Sequence, residues 1–285
     1  MTPQTLSLSV LRPLLRPRPA DGHKGTFGHA LVVAGRWGMA GASVLAAKAC
    51  MRSGVGKCTL HIPRANNDIV QISVPEVIIS HDLDQQEFTT PVSLGIYDAL
   101  AIGPGLGTSA PTIEAVGRQL AMAAARNTNE VPAVVTPCVV DADALNALAL
   151  QPALFSMLPE DAILTPHPAE YRRMAADEAP QRFAQRLGVY LVLKGHPTHV
   201  YTPDGGCYEC PWGNSGMGTA GSGDVLTGII VALLAEGYAP RESALLGVSL
   251  HALAGDAAAC SLGEHSLMAS DIIAHLPEAF KCLGV

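Results

Sequence analysis

Short apolar runs that end at glycine or proline recur along the chain, and longer apolar segments separate them. Short runs bounded by turn residues are typical of buried strands, and longer runs rich in alanine and leucine are typical of helices. The predicted strands are His29–Ala34, Lys57–Ile62, Tyr97–Ile102, Ala133–Val140, Ala162–Thr165 and Tyr190–Lys194. The predicted helices are Gly41–Arg52, Pro111–Arg126, Val225–Ala235, Arg241–Leu262 and Ser270–Cys282.

The order of these elements indicates how they pack. A strand, a helix and a strand in succession form the βαβ unit of a parallel sheet. The sequence therefore predicts an α/β fold with a doubly wound, mostly parallel sheet and helices on both faces. Such sheets bind ligands at the carboxyl ends of their strands, so we expect the functional site in the segments that follow the predicted strands.

A hairpin is predicted late in the chain. His199–Thr202 and Cys207–Cys210 flank the turn Asp204-Gly205-Gly206, a pattern typical of two antiparallel strands. Cys207 and Cys210 also form a C-x-x-C pair, which raises the alternative of a zinc site. Residues three apart on a strand face opposite sides, so we interpret the pair as hairpin residues.

Composition limits the class of protein. The chain has 285 residues, of which 48% are hydrophobic, so we expect one domain over residues 1–285, with a poorly defined extension over residues 1–20. A net charge of -7, without any run of Lys or Arg, argues against nucleic acid as a partner. Scattered cysteines and interrupted apolar segments favour a cytoplasmic protein over a secreted or membrane protein.

The segment Asn214–Gly228 combines a glycine-rich turn with the start of an apolar helix. Glycine adopts positive φ and lets the backbone approach closely, so Gly221, Ser222 and Gly223 can direct several N–H groups at one point. A helix N-terminus favours an anion such as phosphate at that point. Asp224 is then either a catalytic carboxylate or the N-cap of the helix, and capping alone does not need so many glycines.

Three other segments place glycines or a cation after predicted strands. Gly35–Ala42 and Gly103–Gly107 are glycine-rich turns between a strand and a helix, and each is also typical of a tight packing connection. Lys194–Thr198 puts a cation at the end of a strand, where it could meet a phosphate or lie in solvent.

Asp141, Asp143, His167 and Glu170 also follow short strands, so the fold could bring them to one edge of the sheet. Two or more carboxylates beside a phosphate suggest Mg²⁺, a hard cation that takes oxygen ligands. Two alternatives stay open. Asp141 could cap a turn or a helix, and His167 could be a satisfied structural residue.

The glycine-rich segment resembles the G-x-G-D anion-hole motif of ribokinase-like enzymes, and the chain resembles the ADP-dependent NAD(P)H-hydrate dehydratases of that superfamily. Further stretches agree with that family in order: Gly35–Gly56, Gly103–Gly107, Val140–Leu145 with Thr165–Glu170, and Lys194–Thr198. Within T-P-H-P-A-E, His167 replaces the asparagine of the kinases, as expected of dehydratases. Ser215 stands where the family usually has proline.

The resemblance implies a ribokinase-like fold and a lyase that repairs hydrated NADH and NADPH, with ADP as co-substrate and Mg²⁺ as cofactor. A phosphoryl group would pass to the ring hydroxyl and leave as phosphate, restoring NAD(P)H and leaving AMP. Asp224 would be the base that activates the hydroxyl. Gly221, Ser222 and Gly223 would stabilise charge on the transferring phosphoryl group.

The resemblance also assigns binding residues. It places the hydrated nicotinamide substrate at Gly41, Ala42, Gly105, Gly107, His167 and Asp224. It places the ADP or AMP at Lys194, Gly195, His196, Pro197, Thr198 and Gly223, and Mg²⁺ at Glu170 and Asp141. Many relatives are fused to an epimerase, which we expect to be a separate chain here. The family also implies a homo-oligomer, a tetramer.

Two other functions remain open at this point. A small-molecule kinase of the same fold would phosphorylate a vitamin-precursor alcohol such as a hydroxymethylpyrimidine, but His167 and the turn Gly35–Ala42 argue against it. A catalytically silent nucleotide-binding regulator would not need the intact Gly-Ser-Gly-Asp that ends at Asp224. Turnover in the presence of Mg²⁺ would separate this regulator from both enzymes.

Overall fold

The computed structural model describes residues 2–124 and 135–284, and within those ranges it contains ten strands and eleven α-helices. The strands are β1 (Gln4–Thr5), β2 (His29–Val33), β3 (Lys57–Ile62), β4 (Ile78–His81), β5 (Ala99–Ile102), β6 (Cys138–Val140), β7 (Ile163–Leu164), β8 (Tyr190–Leu193), β9 (Thr198–Tyr201) and β10 (Cys207–Cys210). The helices are α1 (Leu8–Leu11), α2 (Ala40–Arg52), α3 (Asn67–Ser73), α4 (Ala110–Ala124), α5 (Ala142–Leu150), α6 (Pro168–Ala175), α7 (Pro180–Leu187), α8 (Ser222–Ala235), α9 (Pro240–Leu262), α10 (Ala269–Ala274) and α11 (Leu276–Leu283).

All strands of the described residues join one sheet in the order β1-β10-β9-β8-β7-β6-β5-β2-β3-β4. The strands from β8 to β4 in that order are parallel to their neighbours. β9 is antiparallel to both β8 and β10, and β1 is parallel to β10. The prediction of a mostly parallel, doubly wound α/β sheet is confirmed.

The direction of the chain across the sheet reverses between β2 and β5. From β2 the chain proceeds to β3 and β4 on one side, and it returns to β5, β6, β7 and β8 on the other side. Ligands of doubly wound sheets bind in the crevice at such a reversal. The turns that begin at Gly35 and Gly103, directly after β2 and β5, therefore lie where this fold favours a ligand.

Strand β2 shows why the central strands are apolar on both sides. Ala30 and Val32 join a core formed with α2, α8 and α9, whereas Leu31 and Val33 join a core formed with α4 and α5. All four side chains are fully buried. A strand that is covered on both faces needs a continuous apolar run rather than alternation, which is the pattern that the sequence has.

Proline changes the end of the chain relative to the prediction. The single helix predicted over Ser270–Cys282 is wrong, because α10 ends at Ala274 and α11 begins at Leu276. Pro277 lies in the first turn of α11. Proline fits the first turn of a helix but not its interior, where it would remove a backbone hydrogen bond.

Proline also shortens the strand predicted over Ala133–Val140. The strand observed is β6, which begins at Cys138, directly after Pro137. Proline cannot donate a hydrogen bond to a neighbouring strand, so it is disfavoured inside a sheet. The first residues of this prediction, like the predicted helix end at Arg126, lie outside the described residues.

The predicted hairpin is confirmed. β9 and β10 are antiparallel, with Tyr201 opposite Cys207. Cys207 and Cys210 lie at the two ends of β10, and both are buried. Burial raises the pKa of the Cys210 thiol to about 11, so this thiol stays protonated at neutral pH.

The first residues of the chain add an edge to the sheet, although the sequence predicts no element there. Gln4 and Thr5 pair in parallel with Tyr208 and Glu209 of β10. Leu6 is 1% exposed, so its side chain belongs to the core. The N-terminal residues thus cover the edge that β10 would otherwise present.

Helix α9 (Pro240–Leu262) is the helix of the described residues that is long and apolar enough to cross a membrane by length and composition. In the structure 56% of its most apolar window is buried, and it packs against α8 and α11. A core helix of an α/β protein passes the same test of length and apolarity. We therefore interpret α9 as a core helix.

The crossing of α2 and α8 depends on Gly228. A Cβ at this position would lie 2.2 Å from the Ala46 carbonyl oxygen, which is backbone and cannot rotate away. Gly228→Ala is expected to lower the free energy of unfolding by about 1–3 kcal/mol, because overpacking forces the two helices apart. Urea unfolding followed by circular dichroism measures the change.

Gly41→Ala is the matched control for that experiment. Gly41 lies in α2, it is exposed, and a Cβ there would have no atom within 4 Å. Alanine favours a helix over glycine by about 1 kcal/mol, so this variant should be as stable as the wild type or more stable. An equal loss of stability in the two variants would contradict the close approach of α2 and α8.

Candidate active site

The anion turn, residues Gly221–Asp224, joins the loop after β10 to the N-terminus of α8. Gly221 has a φ of 89°, in the left-handed region, and a Cβ there would lie 2.4 Å from Leu45 Cδ1. A residue with a side chain would therefore strain this position. In the described part of the chain, the N–H groups of Gly223 and Asp224 have no hydrogen-bond acceptor, so both can serve an anion.

A cavity of about 640 Å³ opens beside the anion turn. The predicted site residues that line it are Asp141, His167, Lys194, Gly195, His196, Thr198, Gly221, Ser222, Gly223 and Asp224. The predicted residues that do not line it are Gly41, Ala42, Gly105, Gly107, Glu170 and Pro197. The structure therefore brings the catalytic and nucleotide-binding candidates together, and it places the nicotinamide candidates, except His167 and Asp224, in a neighbouring region.

Lys194 and Asp141 form an ion pair against the anion turn. Lys194 Nζ lies 2.8 Å from Asp141 Oδ1, and a Cβ on Gly223 would lie 3.1 Å from the same nitrogen. The other oxygen of Asp141 accepts a hydrogen bond of 2.8 Å from Thr227 Oγ1. Asp141 is 1% exposed, and a buried carboxylate is stable only with such partners. Asp141 is thus an ion-pair partner, and its side chain does not cap α5.

Asp224 lies in the first turn of α8, half-buried and close to that ion pair. Burial raises the pKa of Asp224, and the negative charge of Asp141 raises it further, although the Lys194 ammonium acts in the opposite direction. The resulting pKa is about 7. A general base works best when its pKa lies near the working pH, so Asp224 can accept and return a proton under neutral conditions.

The charge of Lys194 is secured by its neighbours. Burial favours the neutral amine, but the negative charges of Asp141 and Glu170 outweigh burial and raise the pKa of Lys194. Its Nζ lies 4.0 Å from Glu170 Oε2, in addition to the ion pair with Asp141. The side chain therefore supplies a permanent positive charge at the wall of the cavity.

His167 is the N-cap of α6. Its Nδ1 accepts hydrogen bonds from the N–H groups of Ala169 at 3.1 Å and Glu170 at 3.3 Å. Glu170 Oε2 in turn accepts the His167 N–H at 2.8 Å, which completes a capping box. Because Nδ1 acts as the acceptor, the ring carries its hydrogen on Nε2. His167 therefore has a structural role as an N-cap, and its side chain, 47% exposed, also lines the cavity, with Nε2 3.4 Å from Glu170 Oε1.

The two glycine-rich turns after β2 and β5 bind each other. The Gly35 N–H donates to Pro104 O and the Arg36 N–H donates to Gly105 O, each at 2.7 Å. A Cβ on Gly105 would lie 2.9 Å from Ala42 Cβ, which explains why glycine is needed there. The structure therefore places Gly105 and Ala42, which the resemblance assigns to the same ligand, close together.

Gly107 completes this second region. Its N–H donates to Asp143 Oδ2 at 2.8 Å, and a Cβ at Gly107 would lie 2.9 Å from Arg36 Cδ. Asp143 thereby fixes the end of the turn after β5 instead of facing a metal. The Gly107 N–H is therefore already bonded within the protein.

The segment Lys194–Thr198 forms a tight turn between β8 and β9. Thr198 Oγ1 donates to the Gly195 carbonyl at 2.8 Å, and the peptide bond between His196 and Pro197 is cis. Most of this turn lines the cavity. It is therefore placed to contact a ligand that also reaches the anion turn.

A directly bound Mg²⁺ fits Asp141 and Glu170 poorly. Both oxygens of Asp141 have protein partners, and Glu170 Oε2 accepts the His167 N–H. The Lys194 ammonium lies between the two carboxylates and occupies the place that an ion would take. Among the described residues there is also no cluster of three or more His, Cys, Asp or Glu side chains arranged to hold a metal.

Sequence reasoning missed the residues that hold the loop before the anion turn. Asp256 of α9 accepts hydrogen bonds from the Gly213 N–H at 3.0 Å and from Asn214 Nδ2 at 2.9 Å. Ser215, where the family usually has proline, bonds Glu264. The available signal was an acidic residue in the apolar helix α9, because buried charges in such helices need a partner.

His251 was also missed. From the middle of α9, its Nε2 lies 2.9 Å from the Ser222 carbonyl oxygen and 3.2 Å from Ser222 Oγ. Burial lowers the pKa of His251 to about 4, so the ring is neutral at neutral pH. A neutral ring that approaches a carbonyl oxygen carries its hydrogen on that nitrogen, so Nε2 donates to Ser222. His251 also lines the cavity.

Comparison with known proteins shows the family of the chain. A model of the NAD(P)H-hydrate dehydratase family matches residues 30–278. The bifunctional NAD(P)H-hydrate repair enzyme of Moorella thermoacetica is 38% identical over 98% of this chain, and the match covers 54% of that enzyme. The chain thus spans about half the length of the bifunctional relatives.

Further matches cover most of both chains. The ADP-dependent (S)-NAD(P)H-hydrate dehydratase of Neisseria meningitidis is 38% identical over 85% of this chain and 81% of its own. The ADP/ATP-dependent NAD(P)H-hydrate dehydratase of Bacillus subtilis, co-crystallised with ATP and Mg²⁺, superposes with a TM-score of 0.81 and 28% identity over 99% of both chains. A ribokinase-like superfamily protein of Enterococcus faecalis superposes with a TM-score of 0.84 and 27% identity over 98% of this chain and 96% of its own, which confirms the ribokinase-like fold class. Together with the family match these relatives show that the chain belongs to the NAD(P)H-hydrate dehydratase family.

Proposed function

We propose that this protein is a hydro-lyase that uses ADP to convert hydrated NADH and NADPH back to NAD(P)H, with AMP and phosphate as the other products. One observation carries the proposal: Asp224, whose pKa is about 7, stands in the anion turn at the wall of a cavity. Phosphoryl transfer needs positioned donors for the phosphoryl oxygens and a group that accepts the proton of the attacking hydroxyl. The anion turn supplies both.

In the proposed reaction the ring hydroxyl of the hydrated nicotinamide attacks the β-phosphorus of ADP. Asp224 accepts the hydroxyl proton, the bond between the β-phosphorus and the bridging oxygen breaks, and AMP leaves with that oxygen. The N–H groups of Gly223 and Asp224 stabilise the charge on the transferring group, and Lys194 adds a positive charge beside them.

The phosphorylated ring then eliminates. The carbon–oxygen bond breaks with its electron pair on phosphate, and a neighbouring ring carbon loses a proton to the departing phosphate as the double bond forms. The hydrate therefore loses one hydroxyl and one proton, the elements of water. These are the elements that the cleavage of ADP to AMP and phosphate takes up. Phosphate is a far better leaving group than hydroxide, which is why the reaction benefits from ADP.

The two regions of the site suit the two ligands. We assign the adenine nucleotide to the cavity lined by Lys194, Gly195, His196, Thr198 and Gly223, with Pro197 shaping the same turn. We assign the hydrated nicotinamide to the start of α2 and the paired turn after β5, with Gly41, Ala42, Gly105 and Gly107, and to His167 at the wall of the cavity. Asp224 then lies where the two ligands meet.

Mg²⁺ enters this proposal with the nucleotide. The related Bacillus subtilis enzyme was co-crystallised with ATP and Mg²⁺. Because Lys194 occupies the space between Asp141 and Glu170, we infer that these carboxylates contact the ion through its waters, with the phosphates as its direct ligands. Mg²⁺ prefers such partly hydrated coordination.

The decisive experiment is incubation of purified protein with hydrated NADH and ADP, ATP or neither, each with Mg²⁺. We expect recovery of NADH absorbance with ADP, formation of AMP and phosphate in equal amounts, and no recovery without nucleotide. A matched incubation with a hydroxymethylpyrimidine and ATP tests the kinase alternative. Phosphorylation of the pyrimidine without recovery of NADH would overturn the proposal in favour of a kinase, and absence of both reactions would favour a silent nucleotide-binding protein.

We also propose a cytoplasmic homo-oligomer, a tetramer, that works beside an epimerase. Relatives about twice as long as the matched region are named bifunctional NAD(P)H-hydrate repair enzymes, so we expect an epimerase on a separate chain as the pathway partner. Light scattering after gel filtration gives the mass of the assembly. With a mixture of the two epimers of the hydrate, the protein alone should convert one epimer, and addition of an epimerase should allow complete recovery of NADH.

A further inference from the structure

A histidine at the centre of α9 contacts the anion turn. His251 lies in a helix whose neighbouring residues, Leu250 and Ala252, are buried and apolar. A polar ring in such a helix costs free energy unless it makes hydrogen bonds. His251 makes them to Ser222, the first residue of α8, through Nε2.

The atom that His251 contacts is linked to the anion turn by covalent geometry. The Ser222 carbonyl and the Gly223 N–H belong to the same peptide unit, which is planar and trans. In a trans peptide the C=O and N–H bonds point in opposite directions. A donor that fixes the Ser222 oxygen on one side therefore fixes the direction of the Gly223 N–H on the other.

We propose that His251 is a positioning residue that orients the Gly223 N–H toward the transferring phosphoryl group. Its Nε2–H holds the Ser222 carbonyl at 2.9 Å, and the hydroxyl of the same residue lies 3.2 Å away. This role rests on the proposed function, because the phosphoryl group is the ligand that the N–H serves. His251 does not need to touch either substrate.

The neutral state of the ring supports the proposal. Burial and the nearby Lys194 both disfavour a positive charge on His251. A second cation beside Lys194 would stabilise the carboxylate of Asp224 and make it a weaker base. A neutral imidazole provides a hydrogen bond without that effect. An arginine or lysine at position 251 would donate the hydrogen bond but would also add the positive charge.

Two substitutions separate positioning from packing. Gln places its side-chain nitrogen close to the position of Nε2 in histidine, so His251→Gln keeps the donor to Ser222. His251→Leu keeps a side chain of similar bulk without a donor. Removing one donor of an oxyanion site lowers kcat by about 10²–10³-fold, and a misaligned one should cost less, about 10–100-fold. We therefore expect that loss in kcat for His251→Leu, with the KM for ADP within about threefold, and recovery to within about threefold of wild type for His251→Gln.

A second measurement does not depend on turnover. In protein saturated with AMP, the affinity for inorganic phosphate, measured by calorimetry, should fall about tenfold in His251→Leu and be retained in His251→Gln. AMP binding itself should not change. This readout distinguishes failure of the inference from failure of the proposed function, because it requires no hydrated nicotinamide.

Ser249→Ala is the matched control, because Ser249 lies on the same helix, is fully buried and bonds the Leu245 carbonyl at 2.8 Å. It should leave kcat and phosphate affinity unchanged. If His251→Leu does not fold, His251→Asn replaces it, since Asn keeps a polar group but cannot reach the Nε2 position. Equal kcat and equal phosphate affinity in the Gln variant and in the Leu or Asn variant would overturn the proposal.

Discussion

Asp224→Asn is expected to lower kcat by about 10²–10⁴-fold, which is the usual contribution of a general base. Asparagine keeps the shape of the side chain and cannot accept the hydroxyl proton. The KM for ADP should stay within a few fold, because the anion turn keeps its N–H groups. Initial rates of NADH recovery at saturating ADP and hydrate measure the change.

The pH dependence of the wild-type rate is an independent test of Asp224 as the general base. Asp224 must be deprotonated to act as the base, and its pKa is about 7. The rate should therefore rise with pH through about 7, and the residual rate of Asp224→Asn should lack this rise. Asp204→Asn is a matched control in the exposed β9–β10 turn and should behave as the wild type. A kcat near the wild-type value in Asp224→Asn would show that Asp224 has only a structural role, in the first turn of α8.

Lys194→Met is expected to be the second most damaging change. Without the ammonium, the phosphoryl group loses a positive neighbour, and kcat should fall by about 10²–10³-fold. Lys194 lowers the pKa of Asp224, so its removal should also move the rise in rate to a pH above 7. Rates measured across the pH range at saturating substrates separate the two effects.

The same change should destabilise the protein, because it leaves Asp141 buried without its cation. Breaking a buried pair from one side costs about 3–5 kcal/mol. The double variant Lys194→Met with Asp141→Asn is the control, since it removes the uncompensated charge. It should regain most of the stability, measured by urea unfolding, but not the activity. A double variant with wild-type activity would mean that Lys194 serves folding and not the reaction.

The parts of the fold that follow from local patterns could be predicted from the sequence. The continuous apolar run of β2 is buried on both faces, and such a run identifies a central parallel strand without any tertiary information. Gly221 and Gly223 predicted the anion turn because few other structures need glycines at that spacing. Both inferences use only neighbouring residues.

The rest of the site depends on contacts between distant segments. Thr227 bonds Asp141, which lies far away in the sequence, so no local pattern announces it. From α9, His251 reaches the first residue of α8 and Asp256 reaches the loop before α8, and the apolar pattern of α9 marks both only as polar exceptions. The position of Lys194 between Asp141 and Glu170 could not be predicted from local pattern either, although it leaves little room for an Mg²⁺ bound directly to both carboxylates.

The raised pKa of Asp224 also matters to anyone who wishes to engineer a more heat-resistant enzyme. Between the ordinary carboxyl pKa of 3.8 and about 7, the folded protein holds a proton at Asp224 that the unfolded chain releases. Stability from this group is therefore greatest in acid and is lost as the pH rises toward 7. Selection for thermal resistance at neutral pH will favour replacement of Asp224 by an uncharged residue. A screen that scores melting alone would thus enrich inactive protein, and each round needs an activity assay beside it.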